Sequence, residues 1–130
     1  MKSEKRCVDT VYGFPRTVWE KAKRELREVL GDTARSRQVI TIQELARRIK
    51  SIKVLPYSYA LRLLLREVVL QEYRQGKGVL SVIVTEKKND IQPIPEFFEL
   101  ISQIEESCDY FRCWRREVEN VYNAWRRKTK

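Results

Sequence analysis

Apolar residues recur at helical spacing along most of the chain and break that rhythm once. Val18, Trp19, Ala22, Leu26, Val29 and Leu30 fall on one stripe, while Lys21, Lys23, Arg24, Arg27 and Glu28 lie mostly off it. The spacing predicts a helix over residues 16–30, with Pro15 suited to its start and Gly31 to a stop just past its end. Val39 and Ile40 fit a short strand. Thr41, followed three residues later by Glu44, has capping-box spacing and opens a short helix that ends near residues 50–51. Ile42, Leu45, Ala46 and Ile49 form its inner side. A connector closed by Pro56 leads into a long helix over residues 57–75. Leu61, Leu64, Leu65, Val68 and Val69 face inward there, extended toward Tyr73, and Arg62, Arg66 and Arg74 lie outward. Gly76 and Gly78 stop it.

The rhythm breaks at residues 79–85. Val79, Leu80, Val82, Ile83 and Val84 crowd six positions, which predicts a strand covered on both sides and the longest in the chain. It should pair with the strand near Val39 and Ile40 and with an irregular return over residues 91–94. Pro93 restricts that return to an edge. Residues 86–90 make the turn between them. Pro95 opens a further helix carrying Phe97, Phe98, Leu100, Ile101 and Ile104. A last helix over residues 109–127 stripes Phe111, Trp114, Val118, Val121, Tyr122 and Trp125, expected as core rather than as a stacking platform.

Helix, short strand, short helix, long helix, strand, turn and returning strand is the order of a winged helix-turn-helix. The expected class is α+β, mostly helical: one domain of 130 residues, with a winged-helix core over about 16–94 and an added C-terminal helical layer over about 95–127.

Charge sharpens the picture. The net charge is +9, and residues 41–78 hold eight basic side chains against three acidic ones, a net +5. A basic domain of this kind has the electrostatic footprint of a nucleic-acid binder. In helix-turn-helix docking the start of the second helix meets base edges, so Ser58, Tyr59, Arg62 and Arg66 are the candidate readers. Arg47, Arg48, Lys50 and Lys53 are candidates for phosphates, with Lys77, Lys87 and Lys88 touching an adjacent backbone. RNA is not separable from DNA on this pattern, although no RRM or KH signature is present. The turn over residues 86–90 is electrically neutral, so a wing there adds little charge. The basic end, RRKTK, forms a second basic surface with Arg112, Arg115 and Arg116. The alternative reading is a protein-interaction module of the same fold, because fold does not fix function.

Catalysis finds little support. The chain has no histidine, which removes imidazole chemistry and Ser-His or Cys-His pairs. Cys7, Cys108 and Cys113 match no zinc spacing and read as buried thiols. Glu86 and Lys88 have the Glu-x-Lys spacing of metal-dependent nucleases, but the upstream acid is missing. The expectation is no enzyme, no metal and no cofactor. No run of eighteen apolar residues exists, and MKSEKRCVDT lacks an apolar signal core, so no membrane partner and a cytoplasmic location are expected. The oligomeric state is open.

Two resemblances attach to these motifs. VITIQELARRI, followed by a helix and an apolar strand, resembles the winged-helix domain of alkyltransferase-like proteins over about forty-five residues. The reactive Pro-Cys-His-Arg motif of the alkyltransferases has no counterpart here, and no Cys lies between Cys7 and Cys108, so alkyl transfer does not carry over. GKGVLSVIVTEKKNDIQPIPEFFELI, with the trailing YFRCWRREVENVYNAW, is similar to an uncharacterised bacterial winged-helix-like family with an LSxxVV, Pro, FFEL and VYxxW pattern. That resemblance covers about half the chain and implies a domain family without an assigned activity. Ile94, Pro95 and Glu96 stand where that family has a glycine-rich turn.

Overall fold

The structure is a computed structural model and describes residues 10–56, 58–87, 90–93 and 110–126, with backbone only at 87, 90–93, 110 and 111. Within these residues the chain is α+β and mostly helical. A two-residue hairpin opens it, β1 (Thr10–Val11) against β2 (Phe14–Pro15). Its turn residues Tyr12 and Gly13 have φ of 53° and 87°, the left-handed values that a two-residue hairpin turn requires. The Tyr12 ring rests on Trp19 at 5.2 Å between centroids.

Helix α1 (Arg16–Arg35) runs one turn beyond the expected stop. Gly31 does not end it. This glycine is buried inside the helix because Trp125 lies against it, and a Cβ there would come within 2.7 Å of the indole. The actual stop is a Schellman motif built on Arg37 in the left-handed region, at φ 53°. The Arg37 N–H donates to Ala34 O at 3.0 Å and the Gln38 N–H to Thr33 O at 3.1 Å.

Strand β3 (Ile40–Thr41) leads directly into α2 (Ile42–Arg48). Thr41 caps that helix, its hydroxyl accepting from the Glu44 N–H at 3.1 Å. Helix α3 (Tyr59–Arg74) is capped by Ser58, whose hydroxyl accepts from the Leu61 N–H at 3.2 Å. A second Schellman motif closes it: Gly76 has φ 79°, its N–H donates to Tyr73 O, and the Lys77 N–H donates to Glu72 O, both at 3.0 Å. The buried face is Leu61, Leu64, Leu65, Val68, Val69 and Glu72. Tyr73 does not extend it; the ring faces outward, and the buried Glu72 takes that place.

The apolar run at residues 79–83 is not a strand. Leu80–Ile83 form a 3₁₀ turn, and only Val84–Lys87 are extended, as β4. A short apolar run does not by itself distinguish the two. Every side chain from Val79 to Thr85 is buried, and the turn packs against α1, α3 and the last helix together. A tight helical turn sends consecutive side chains in several directions, which suits that three-sided burial. β3 pairs with β4 in parallel, Ile40 opposite Val84, and β4 pairs antiparallel with β5 (Asp90–Pro93) across an irregularity between Thr85 and Lys87. The sheet order is therefore β3-β4-β5, with Pro93 on an edge strand as expected. Both β4 and β5 have four residues, so among the described residues no strand reaches the length expected over 79–85.

Helix α4 (Tyr110–Ala124) closes the core. Cys113, Val121, Tyr122 and Trp125 are buried, while Trp114 and Val118 pack at the margin. Glu117, also buried, accepts from the Val79 N–H at 2.8 Å and from Asn120 Nδ2 at 3.2 Å. Gly78 makes that approach possible, since a Cβ on it would meet Val121 Cγ2 at 2.8 Å and Glu117 Oε2 at 3.1 Å. Cys113 is disulfide-bonded rather than a free thiol. Cys7, Cys108, Lys88 and Asn89 of the turn, the expected helix over 95–104 and the RRKTK end beyond the exposed Arg126 lie outside the described residues. No helix among the described residues is long and apolar enough to cross a membrane.

Candidate nucleic-acid interface

The segment from α2 to α3 is held from inside. Ile49, Ile52 and Val54 are buried, and Lys50, Lys53 and Leu55 between them face out. Glu25 of α1 anchors this connector, accepting from the backbone N–H groups of Lys50 and Ser51 at 2.9 and 3.0 Å. Burial pushes the Glu25 carboxyl up, but the N–H bonds from Ser51 and Lys50 and the charge of Lys21 outweigh it, and the group is held below its ordinary value.

Arg47 and Arg48 are exposed but not unengaged. Both bind one carboxylate, Glu44, at 2.8 and 3.1 Å. The trio carries one net positive charge. The Glu44 side chain thereby serves the end of α2 rather than reaching back to its start, so only half of a capping box is made. The Ser58 hydroxyl is occupied as the cap of α3.

The outer face of α3 has a different character. Tyr59, Arg62, Arg66, Tyr73 and Arg74 are exposed along it, with Leu63 and Leu70 half-buried at its edges. The two acids of α3 are drawn off this face. Glu67 accepts from Trp19 Nε1 at 3.0 Å and lies 3.5 Å from Lys23 Nζ. Glu72 is buried, 2.7 Å from Arg27 Nε. No carboxylate of α3 remains on the outward stripe.

The other candidates fall elsewhere. Lys77 sits just past the end of α3, its ammonium 5.0 Å from the centre of the Trp125 ring and its carbonyl accepting from Trp125 Nε1 at 3.1 Å. The Lys87 side chain and Lys88 lie outside the described residues. Arg27 and Arg35 also stand over Trp125, at 5.2 and 5.5 Å, so three cations surround one buried indole. This cluster was not foreseen; its members are as far apart in sequence as Arg27 and Trp125, and no local pattern signals it. Arg37 makes a similar contact with Tyr122 at 4.9 Å while paired with Glu119 at 2.9 Å. Burial pushes the Tyr122 hydroxyl up, and the Glu119 charge adds to that while Arg37 opposes it.

Among the described residues no group of three or more Cys, Asp or Glu is placed to hold a metal ion. Set against protein-family models, curated proteins and solved structures, the chain matches none.

Proposed function

We propose that the protein binds duplex DNA through a winged-helix core, with α2 and α3 as the helix-turn-helix and β4–β5 as the wing. The observation that carries this reading is the outer face of α3, where Arg62 and Arg66 are exposed and both acids of the helix, Glu67 and Glu72, are engaged with α1. Arg62 and Arg66 read bases, since Arg is the commonest base-reading side chain. Arg47, Arg48, Lys50 and Lys53 meet phosphates and set position. Because Glu44 neutralises part of the Arg47–Arg48 charge, the lysines of the connector carry more of the salt dependence than their number suggests.

The test is fluorescence anisotropy with labelled duplex over a salt series. Wild type should bind with an affinity that falls steeply as salt rises, because neutralised phosphates release counterions. Arg62→Ala/Arg66→Ala should lower sequence preference, and Arg47→Ala/Arg48→Ala should weaken all duplexes alike, with a shallower salt slope. Absence of duplex binding at low salt, or wild-type binding by both double variants, refutes the reading. One observation favours a protein-interaction module instead: Leu55 and Tyr59 are each 70% exposed at the start of α3. That reading takes over when neither duplex nor single-stranded nucleic acid is bound.

A further inference from the structure

The outer face of α3 carries more than a duplex contact uses. In helix-turn-helix complexes the N-terminal residues of the second helix reach the base edges. Tyr73 and Arg74 stand at the other end, about 21 Å from Tyr59 at 1.5 Å per residue. Yet the whole length is built alike. Tyr59 is 70% exposed and Tyr73 38%. Neither tyrosine side chain makes a hydrogen bond or ring contact among the described residues, and neither Arg66 nor Arg74 has an ion-pair partner there. The other aromatic side chains with a described placement are differently engaged. Trp19, Tyr122 and Trp125 are core, Trp114 is half-buried at its margin with Nε1 donating to Val82 O at 3.4 Å, and Tyr12 and Phe14 pack on Trp19.

We propose that this face is a track for single-stranded nucleic acid, with bases stacking on Tyr59 and Tyr73 and phosphates held by Arg66 and Arg74. Aromatic rings interleaved with cations, without carboxylates, is the chemistry that takes a single strand with little regard to sequence. Every base has a face to stack, and the cations follow the backbone. The absence of exposed α3 acids along the stripe supplies the charge complementarity. The inference rests on the nucleic-acid reading of this face but not on a duplex, and Tyr73 separates the two, since it lies beyond the reach of a duplex docked on the start of α3.

The experiment uses the full chain and three labelled probes of equal length at low salt: single-stranded oligo(dT), single-stranded oligo(U) and a random-sequence duplex. Wild type should bind at least one single strand, and the preferred strand identifies DNA or RNA as the source. Tyr73→Ala should weaken single-strand binding about tenfold, which is about 1.4 kcal/mol and within the range for one stacked base, and should leave duplex binding unchanged. Tyr73→Phe should bind as wild type, because the stacking surface is kept. Both positions are exposed, so thermal midpoints should not move; where Tyr73→Ala does unfold, Tyr59→Ala and Tyr59→Phe give the same comparison for single-strand affinity. Duplex binding without single-strand binding overturns the inference and leaves the duplex reading standing. Binding of a single strand that neither Tyr73→Ala nor Tyr59→Ala weakens also overturns it, as does equal loss in the Ala and Phe variants. Binding to none of the three probes overturns both readings.

Discussion

Replacing Gly31 with alanine sets two effects of opposite sign against each other. In a helix interior alanine is favoured over glycine by about 1 kcal/mol, through lower chain entropy in the unfolded state and better helix propensity. Gly31 is four residues inside the end of α1, so propensity alone predicts a gain. The added Cβ, however, would lie 2.7 Å from Cζ3 and 3.1 Å from Cε3 of Trp125. Comfortable carbon contacts begin near 3.5 Å, so the ring would have to retreat by roughly 1 Å. It is poorly placed to do so. The ring is 4% exposed, its Nε1 is bonded to Lys77 O at 3.1 Å, and Arg27, Arg35 and Lys77 surround it. Overpacking of this kind costs about 1–3 kcal/mol. The clash should win, for a net loss of about 1 kcal/mol and a fall in Tm of about 4 °C in a chain of this size.

The sign should reverse once the ring is gone. In a Trp125→Leu background the same Gly31→Ala change should stabilise by about 1 kcal/mol, giving a coupling of about 2 kcal/mol between the two positions. Urea unfolding followed by far-ultraviolet circular dichroism measures all four members of the cycle, with unchanged m-values as the condition for comparing midpoints. If Gly31→Ala stabilises wild type as much as it stabilises Trp125→Leu, the indole does not lie against Gly31, and the account of why α1 passes through this glycine fails.

Two further outcomes follow from buried or half-buried carboxylates. Glu117→Ala should cost about 1–3 kcal/mol, because it leaves the Val79 N–H without its acceptor, while Glu117→Gln, which keeps an acceptor oxygen, should cost clearly less; equal urea midpoints for the two variants would show that the bond to Val79 is not what matters. Glu25 is held below its ordinary value near 4.5 in the folded protein, so its contribution is present above the unfolded value and is lost as pH falls through the folded one. The stability difference between wild type and Glu25→Gln should therefore narrow as pH drops from 6 to below 4.5, and a gap that stays constant or widens refutes the anchoring role given to the carboxylate.

Much of the helical frame was legible because its signals are local. Thr41 before one apolar run and Gly76 after another each satisfy the backbone groups of their own helix end as the sequence suggests, whereas Ser58, expected as a base reader, is the cap of α3, and the Glu44 carboxylate turns to Arg47 and Arg48 instead of closing a capping box. The failures are places where a distant residue decides. Gly31 resembles a stop, but Trp125, ninety-four positions on, gives it a packing role, and the real left-handed stop falls on Arg37, a residue with no turn signature. The opening hairpin went unread because Tyr12 occupies a positive-φ position that glycine, asparagine or aspartate usually fills. The run at 79–83 is apolar enough for a strand or a tight helical turn, and burial on three sides chose the turn. At the candidate interface, the outward placement of Arg62 and Arg66 followed from periodicity. The sharing of Glu44 by Arg47 and Arg48 was within reach, being an i, i+3 and i, i+4 arrangement.

The charge of the α3 face is tied to how α3 is held. Its two acids are Glu67 and Glu72, and both point toward α1. Glu67 meets Trp19 and Lys23, and Glu72 meets Arg27. A partner-free Glu72 buried to 3% exposure would be costly, so the Arg27 contact is needed for this packing rather than an addition to it. The same contacts that seat α3 on α1 also remove acidic charge from the side of α3 that faces away. Substitutions on α1, far from the outer stripe, should then alter it: Arg27→Met leaves Glu72 without its cation, favours a rotation of that carboxylate toward solvent, and weakens α3 seating. The positive charge of the outer face is in this sense a property of the α1–α3 packing as well as of Arg62, Arg66 and Arg74. A screen for binding variants confined to the exposed residues would miss that half of the cause.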